Sequence, residues 1–155
     1  MAVTFGTAAK SDVSELVELR VAYLSEDFGE LTNEQVASLP DELIPYFERH
    51  LNKDLFVFVA RDERIVACAW LLLVEKPPSP RFPHGRTGVL FNVYTQPDRR
   101  HRGLASSVMR ELIDAARTMQ LDVIELNATD DGYPLYLSLG FADDSSTHKA
   151  MRLVL

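Results

Sequence analysis

Alternation and helical periodicity divide the chain into elements. Ala2 to Ala8, with Val3 and Phe5 alternating, predicts a short first strand. Ser11 is placed as a helix N-cap, with Asp12 and Glu15 in the favourable first turn. Val13, Leu16, Val17, Val21 and Leu24 then share one helical face, and Phe28-Gly29-Glu30 breaks it. Thr32-x-x-Gln35 is a capping-box pattern opening a second helical segment, which Pro40 and Pro45 are expected to divide into two shorter pieces ending near His50-Leu51-Asn52. Leu55 to Arg61 and Arg64 to Glu75 are rich in β-branched and aromatic residues, and Asp62-Glu63 separates them at hairpin distance. Lys76 to Gly85 carries four prolines (Pro77, Pro78, Pro80 and Pro83) and predicts a stiff, extended connection. Arg86 to Thr95 is a strand. Leu104, Ala105, Val108, Leu112, Ala115, Ala116 and Met119 form the apolar face of the helix after it. Asp122 to Ala128 predicts a strand reached by a helical crossover, hence parallel to its neighbour. Tyr133 to Leu139 reads as a short helix with Pro134 near its start and Gly140 at C′, and Phe141 and His148 to Leu155 as final strands.

Composition narrows the class. The 155 residues fit one domain, with 46% apolar and 25% charged residues as in ordinary globular proteins. No apolar run approaches a membrane span, and Met1 to Phe5 lacks a charged leader segment, so a cytoplasmic location and no membrane partner are expected. Sixteen basic against 23 acidic residues give a net charge of −7, which disfavours nucleic acid and favours steering of a cationic substrate. The one cysteine, Cys68, lies in a strand-like apolar run and reads as an inert core thiol. Four scattered histidines and one cysteine make no metal-ligand pattern, so no metal is expected.

The chemistry concentrates at Asn92 to Ser107. A strand runs into Pro97, then into Arg99, Arg100, His101 and Arg102, then Gly103, then an amphipathic helix. A helix start offers free N–H groups and the positive end of the dipole, and with side-chain cations beside it the turn suits a phosphate or pyrophosphate. It is not a P-loop, and Gly85 to Gly88 cannot supply a dinucleotide fingerprint. Arg100-x-x-Gly103-x-Ala105 resembles the R/Q-x-x-G-x-G/A motif of the GNAT superfamily of N-acetyltransferases. Leu135-Tyr136-Leu137-Ser138-Leu139-Gly140-Phe141 resembles the L-Y-x-x-x-G-F ending of the same superfamily. The order of elements matches along nearly the whole chain.

The resemblance implies an α/β (α+β) single domain over residues 1–155, with a mixed central sheet of about six to seven strands flanked by about four helices. It implies acetyl-CoA as cosubstrate, direct transfer in a ternary complex, and a primary amine of a small molecule or peptide as acceptor. Val93, Tyr94 and Thr95 would line the pantetheine arm, their backbone accepting it as an added strand. Arg100, His101, Arg102, Gly103, Leu104, Ala105 and Ser106 would surround the pyrophosphate. Asn127 would contact pantetheine or the sulfur side, and Tyr136 would bind there and act as acid or thiol-positioning residue. No carboxylate stands in Gly88 to Val93, where some members place a glutamate. His84, Asp27, Glu30 and Asp130 are the remaining candidates near an acceptor, each also readable as plain surface. Loop 76–86 and the break at 25–31 are expected to shape the acceptor pocket. A non-catalytic acyl-CoA sensor or scaffold stays open as an alternative, as does a homodimer.

Overall fold

The structure, a computed structural model, describes residues 2–155. Its elements are β1 (Thr4–Thr7), α1 (Val13–Asp27), α2 (Asn33–His50), β2 (Leu55–Arg61), β3 (Ile65–Glu75), β4 (Arg86–Thr95), α3 (Leu104–Thr118), β5 (Val123–Glu125) and α4 (Tyr133–Ser138). The strands form one sheet in sequence order, antiparallel from β1 to β4 and parallel between β4 and β5, with α3 as the crossover. No helix among the described residues is long and apolar enough to cross a membrane.

Alternation along β2 and β3 builds both halves of the core. Val57, Val59, Cys68 and Trp70 face Leu16, Val17 and Leu19 of α1 and Phe47 of α2. Phe58, Ala60, Ala67, Ala69 and Leu71 face Val108, Met109, Leu112 and Ala116 of α3. Burial on both faces explains why these strands read as near-continuous apolar runs. The three alanines leave the bulky side of that interface to α3.

Four expectations are corrected. The second helical segment is one continuous helix, with Pro40 and Pro45 inside it. The carbonyls four residues before each proline belong to Val36 and Asp41, both exposed, so water replaces the lost hydrogen bonds. The Thr32–Gln35 capping box holds one end through reciprocal bonds of 2.9 and 3.1 Å, and buried Phe47 anchors the other. Asp12, not Ser11, stands at the N-cap of α1, after a single 3₁₀ turn. The third correction shortens β5 to three residues, because β4 pairs with it only at Thr87–Val89. Finally, Phe141 and His148–Leu155 form no strand, so the sheet has five strands rather than six to seven.

Asp12 illustrates how the β1–α1 corner is held. Its carboxylate accepts from both terminal nitrogens of Arg61 at 3.0 and 2.9 Å and from the Ala9 N–H at 2.8 Å. The Arg61 guanidinium, opposed by burial and helped by the Ala9 amide, holds its pKa below the usual 3.8. A depressed carboxylate contributes stability above its unfolded pKa and loses it as pH falls through the folded one. Asp12→Asn is therefore expected to cost about 1–3 kcal/mol at neutral pH, with the deficit shrinking below about pH 4. Urea denaturation of both proteins across that range checks it.

Candidate active site

The cleft originates in a defect of β4. Cys68 pairs with Tyr94 and Trp70 with Phe91, so Ala69 alone opposes two residues, Asn92 and Val93. This is a β-bulge, and Asn92 takes the left-handed conformation at φ 52°, which asparagine tolerates better than most residues. Buried Asn92 accepts from Arg20 of α1 at 3.2 Å and lies against Cys68 Sγ at 3.7 Å. The Arg20 guanidinium stacks over the rings of Tyr23 and Trp70. A polar side chain from α1 thus buttresses the bulge from beneath.

Beyond Val89 the parallel partner is lost. From Leu90 to Thr95 one edge of β4 runs without a strand beside it among the described residues, while Leu126 to Thr129 diverge to form the opposite wall. A cavity of about 1180 Å³ fills the gap. Its ends are the α1 C-terminus, the α3 N-terminus and α4.

After β4 the chain makes a single 3₁₀ turn at Pro97–Arg99, and His101 and Gly103 both take positive φ, 62° and 73°. Gly103 is the N-cap of α3 and brings no side-chain acceptor. The first helical bond is Ser107 N–H to Gly103 O at 3.1 Å, so the amides of Leu104, Ala105 and Ser106 have no protein acceptor among the described residues. Three donors and a helix dipole face open space, which is the arrangement an anion requires.

The basic side chains do not all join them. Arg100 donates through Nε to Thr95 O at 2.9 Å and through a terminal nitrogen to both Glu26 oxygens at 2.8 and 2.9 Å, above the Tyr94 ring. Arg99 is paired with Asp62. Arg102 is exposed and outside the cavity lining, whereas His101 is on it. Arg100 thus ties α1 to the end of β4, and the donors left free on the cavity wall are main-chain amides and the His101 ring.

Tyr136 approaches from α4. Its ring packs edge-on against Phe141 at 5.8 Å, and a Cβ on Gly132 would stand 3.1 Å from that ring. Burial, with the Tyr23 phenol nearby, pushes its pKa up to about 12. No hydrogen-bond partner of its hydroxyl is found among the described residues, and Tyr136 lines the cleft. Cys68 is buried and its thiol is pushed up to about 11. It is expected to resist alkylation at pH 8 in the folded protein and to react fully in denaturant, as a thiol-counting assay would show.

Val93, Tyr94, Thr95, Arg100, His101, Gly103, Leu104, Ala105, Ser106, Asn127 and Tyr136 all line the one cavity, and Arg102 does not. Asp27 lines it too; Glu30 and Asp130 do not. His84 is turned away, its Nδ1 2.6 Å from Asp122 Oδ1. Loop 76–86 likewise stays off the cavity, so the break after α1 shapes that end without it. Arg20, Tyr23 and Asp131 were not expected there, whereas Glu26 falls in the 25–31 break that was. The available signal was Arg20, four residues after Leu16, a charge in line with an apolar helical stripe.

A parallel strand pair that splays, a bulge, and an uncapped helix start facing one cleft define an α+β domain whose site suits an extended, anionic ligand. The acetyltransferase (GNAT) family model matches residues 15–141. The chain belongs to that family. It is similar to a predicted acetyltransferase from Clostridium acetobutylicum solved with acetyl-CoA, at 28% identity over 97% of this chain and 96% of that one, with a TM-score of 0.84. It shares its fold with a GCN5-related N-acetyltransferase from Ralstonia eutropha JMP134 (22% identity, 97% and 99% covered, TM-score 0.78). The same holds for glucosamine-6-phosphate N-acetyltransferase from Arabidopsis thaliana (17% identity, 97% and 99% covered, TM-score 0.71). No curated protein matches the sequence.

Proposed function

We propose that this chain moves an acetyl group from acetyl-CoA to a primary amine by direct transfer within a ternary complex. The observation that carries the reading is the continuity of one cleft, from the open edge of β4 to the uncapped amides of α3, with Tyr136 on its lining. An extended amide-bearing arm hydrogen-bonds to an unpaired strand edge as a further strand does, and Val93 and Thr95 offer that edge. The amides of Leu104, Ala105 and Ser106 take the pyrophosphate, and Gly103 lets it approach without a Cβ in the way. Asn127, on the opposite wall, contacts the arm.

At the reacting end, an amide of the β4 bulge faces the thioester oxygen and stabilises the charge that develops there. The acceptor must be a free amine to attack, and an alkyl ammonium has a reference pKa of about 10.4. No carboxylate stands on β4 to take that proton, so it leaves through water. Asp27 and Asp131, cavity-wall carboxylates outside the Arg100–Glu26 pair, attract a cationic amine locally. Tyr136 then donates a hydrogen bond to the departing sulfur.

Calorimetric titration of acetyl-CoA and CoA, paired with thiol release over small amines and N-terminal peptides, tests this. Binding of both with release confined to one amine class supports the transferase. Failure of both to bind overturns the cleft assignment, and binding without release across all amines favours the sensor.

A further inference from the structure

Arg20 is the one arginine of the cleft without a carboxylate partner among the described residues. The other arginines withdrawn from full exposure each meet one: Arg61 meets Asp12, Arg99 meets Asp62 and Arg100 meets Glu26. Only one N–H donor of the Arg20 guanidinium bonds to protein among the described residues, Nη1 to Asn92 Oδ1 at 3.2 Å. The rings of Tyr23 and Trp70 lie against its central carbon at 5.8 and 5.4 Å, which holds the group without neutralising it. Burial lowers its pKa, with Tyr23, Tyr46 and Asp27 opposing, yet a guanidinium stays charged at any pH at which the protein works. A charge drawn partly out of water, with donors left over, is costly until an anion completes it.

The setting of Arg20 says to which molecule that anion belongs. Arg20, Tyr23, Leu24 and Asp27 share one face of α1 by their spacing, and all four line the cavity. Asn92, the partner of Arg20, sits in the β4 bulge beside which the thioester is assigned, and Tyr23 is near enough to Tyr136 to raise its pKa. The anion therefore belongs to the acceptor, at the reacting end, whereas the pyrophosphate has the amides of α3. Two turns along the same face, about 10 Å by helical rise, Asp27 offers a carboxylate to an ammonium. A cation and an anion on one face mirror the charges of an amine that carries its own carboxylate. Asp27 is also close enough to act on Arg20, and it disfavours a phosphate dianion there more than a singly charged carboxylate.

We propose that Arg20 binds the carboxylate of the acceptor, so that the acceptor is a free amino acid rather than a simple amine or a peptide N-terminus; this rests on the transferase reading. Acetyl passes from sulfur to nitrogen, the C–S bond breaking as the C–N bond forms. The ammonium gives up two protons, one to bulk water and one, by way of water, to the departing thiolate. The product is an N-acetyl amino acid with its carboxylate intact.

Glycine, alanine and phenylalanine, each beside its carboxamide, and phosphoethanolamine are titrated by calorimetry into the protein with and without coenzyme A. The same set is run for thiol release from acetyl-CoA. The amino acids are expected to exceed their amides about ten- to hundredfold in affinity and in kcat/KM, the range of a charge-assisted bond. Arg20→Gln is expected to abolish that preference, and Arg20→Lys, which keeps the charge without the planar fork, to retain part of it. A purely supporting role at the bulge would lower both members of each pair and leave their ratio unchanged. Equal affinity for acids and amides, binding of neither, or a preference that survives Arg20→Gln overturns the proposal. So does a preference for phosphoethanolamine, which would make the anion a phosphate. Absence of coenzyme A binding overturns the transferase reading alone, because the comparison of acids with amides on the ligand-free protein stands apart from it.

Discussion

Replacing Gly103 with asparagine is expected to weaken coenzyme A binding about ten- to hundredfold while changing the folding free energy by less than about 1 kcal/mol. Gly103 holds φ 73°, where most L-residues cost about 1–2 kcal/mol and asparagine much less. A Cβ built there meets no atom within 4 Å, so the ligand-free fold has room for it. The same residue lines the cavity at the free amides of α3, so the new side chain stands where the pyrophosphate approaches. Obstructing even one charge-assisted hydrogen bond to those amides removes about 1.5–3 kcal/mol of binding. Gly103→Ala serves as the counterpart, with less obstruction and more backbone strain. Calorimetry for affinity and thermal melts for stability separate the two effects. Wild-type affinity in Gly103→Asn would remove the pyrophosphate from this helix terminus.

What the sequence disclosed follows the range of the forces involved. β2 and β4 have the bounds their apolar runs predict, Leu55–Arg61 and Arg86–Thr95, because burial and breaker residues coincide at their ends. Gly103 and Tyr136 belong to local motifs, so their neighbourhoods could be read from a few adjacent residues. Glu26 could not be placed that way. It reaches the cleft only because α1 crosses the end of β4, and its partner Arg100 lies 74 positions away. Arg20 and Asn92 meet across 72 positions, so the buttress of the bulge is equally invisible to periodicity. The bulge itself depends on a register shift between β3 and β4 that no pattern within β4 announces.

The failures have physical causes of the same kind. Two prolines sit inside α2 because the face that loses hydrogen bonds is wet, which is a matter of burial rather than propensity. The tail has the composition of a strand but pairs with no strand among the described residues. Strand propensity expresses a fit to a pleated, half-buried surface, and it does not by itself supply that surface. Three arginines before Gly103 suggested a cationic pocket. Arg99 is held by Asp62 as well as adjacent Asp98, and Arg100 by distant Glu26, and with them in place the pocket relies chiefly on backbone dipoles.

Tyr136→Phe is expected to lower turnover about ten- to hundredfold and leave coenzyme A affinity nearly unchanged. With no protein partner for the hydroxyl among the described residues, the substitution should also spare stability. The magnitude follows from the phenol's pKa. Held at about 12, the hydroxyl stays protonated at every pH the reaction would use. A thiol has a reference pKa of about 8.5, so full proton transfer from Tyr136 to the thiolate would run uphill by about 5 kcal/mol. The phenol therefore acts as a fixed hydrogen-bond donor to charge building on sulfur. A bond to a charged acceptor contributes about 1.5–3 kcal/mol, the ten- to hundredfold named. A raised phenol pKa keeps the donor form below it, so the pH–rate profile should show no alkaline fall near pH 10 from Tyr136. Its shape should be the same in Tyr136→Phe at a lower plateau. A profile whose alkaline limb disappears on substitution would mean that Tyr136 titrates in the working range and transfers its proton outright. An unchanged plateau would place the sulfur out of its reach.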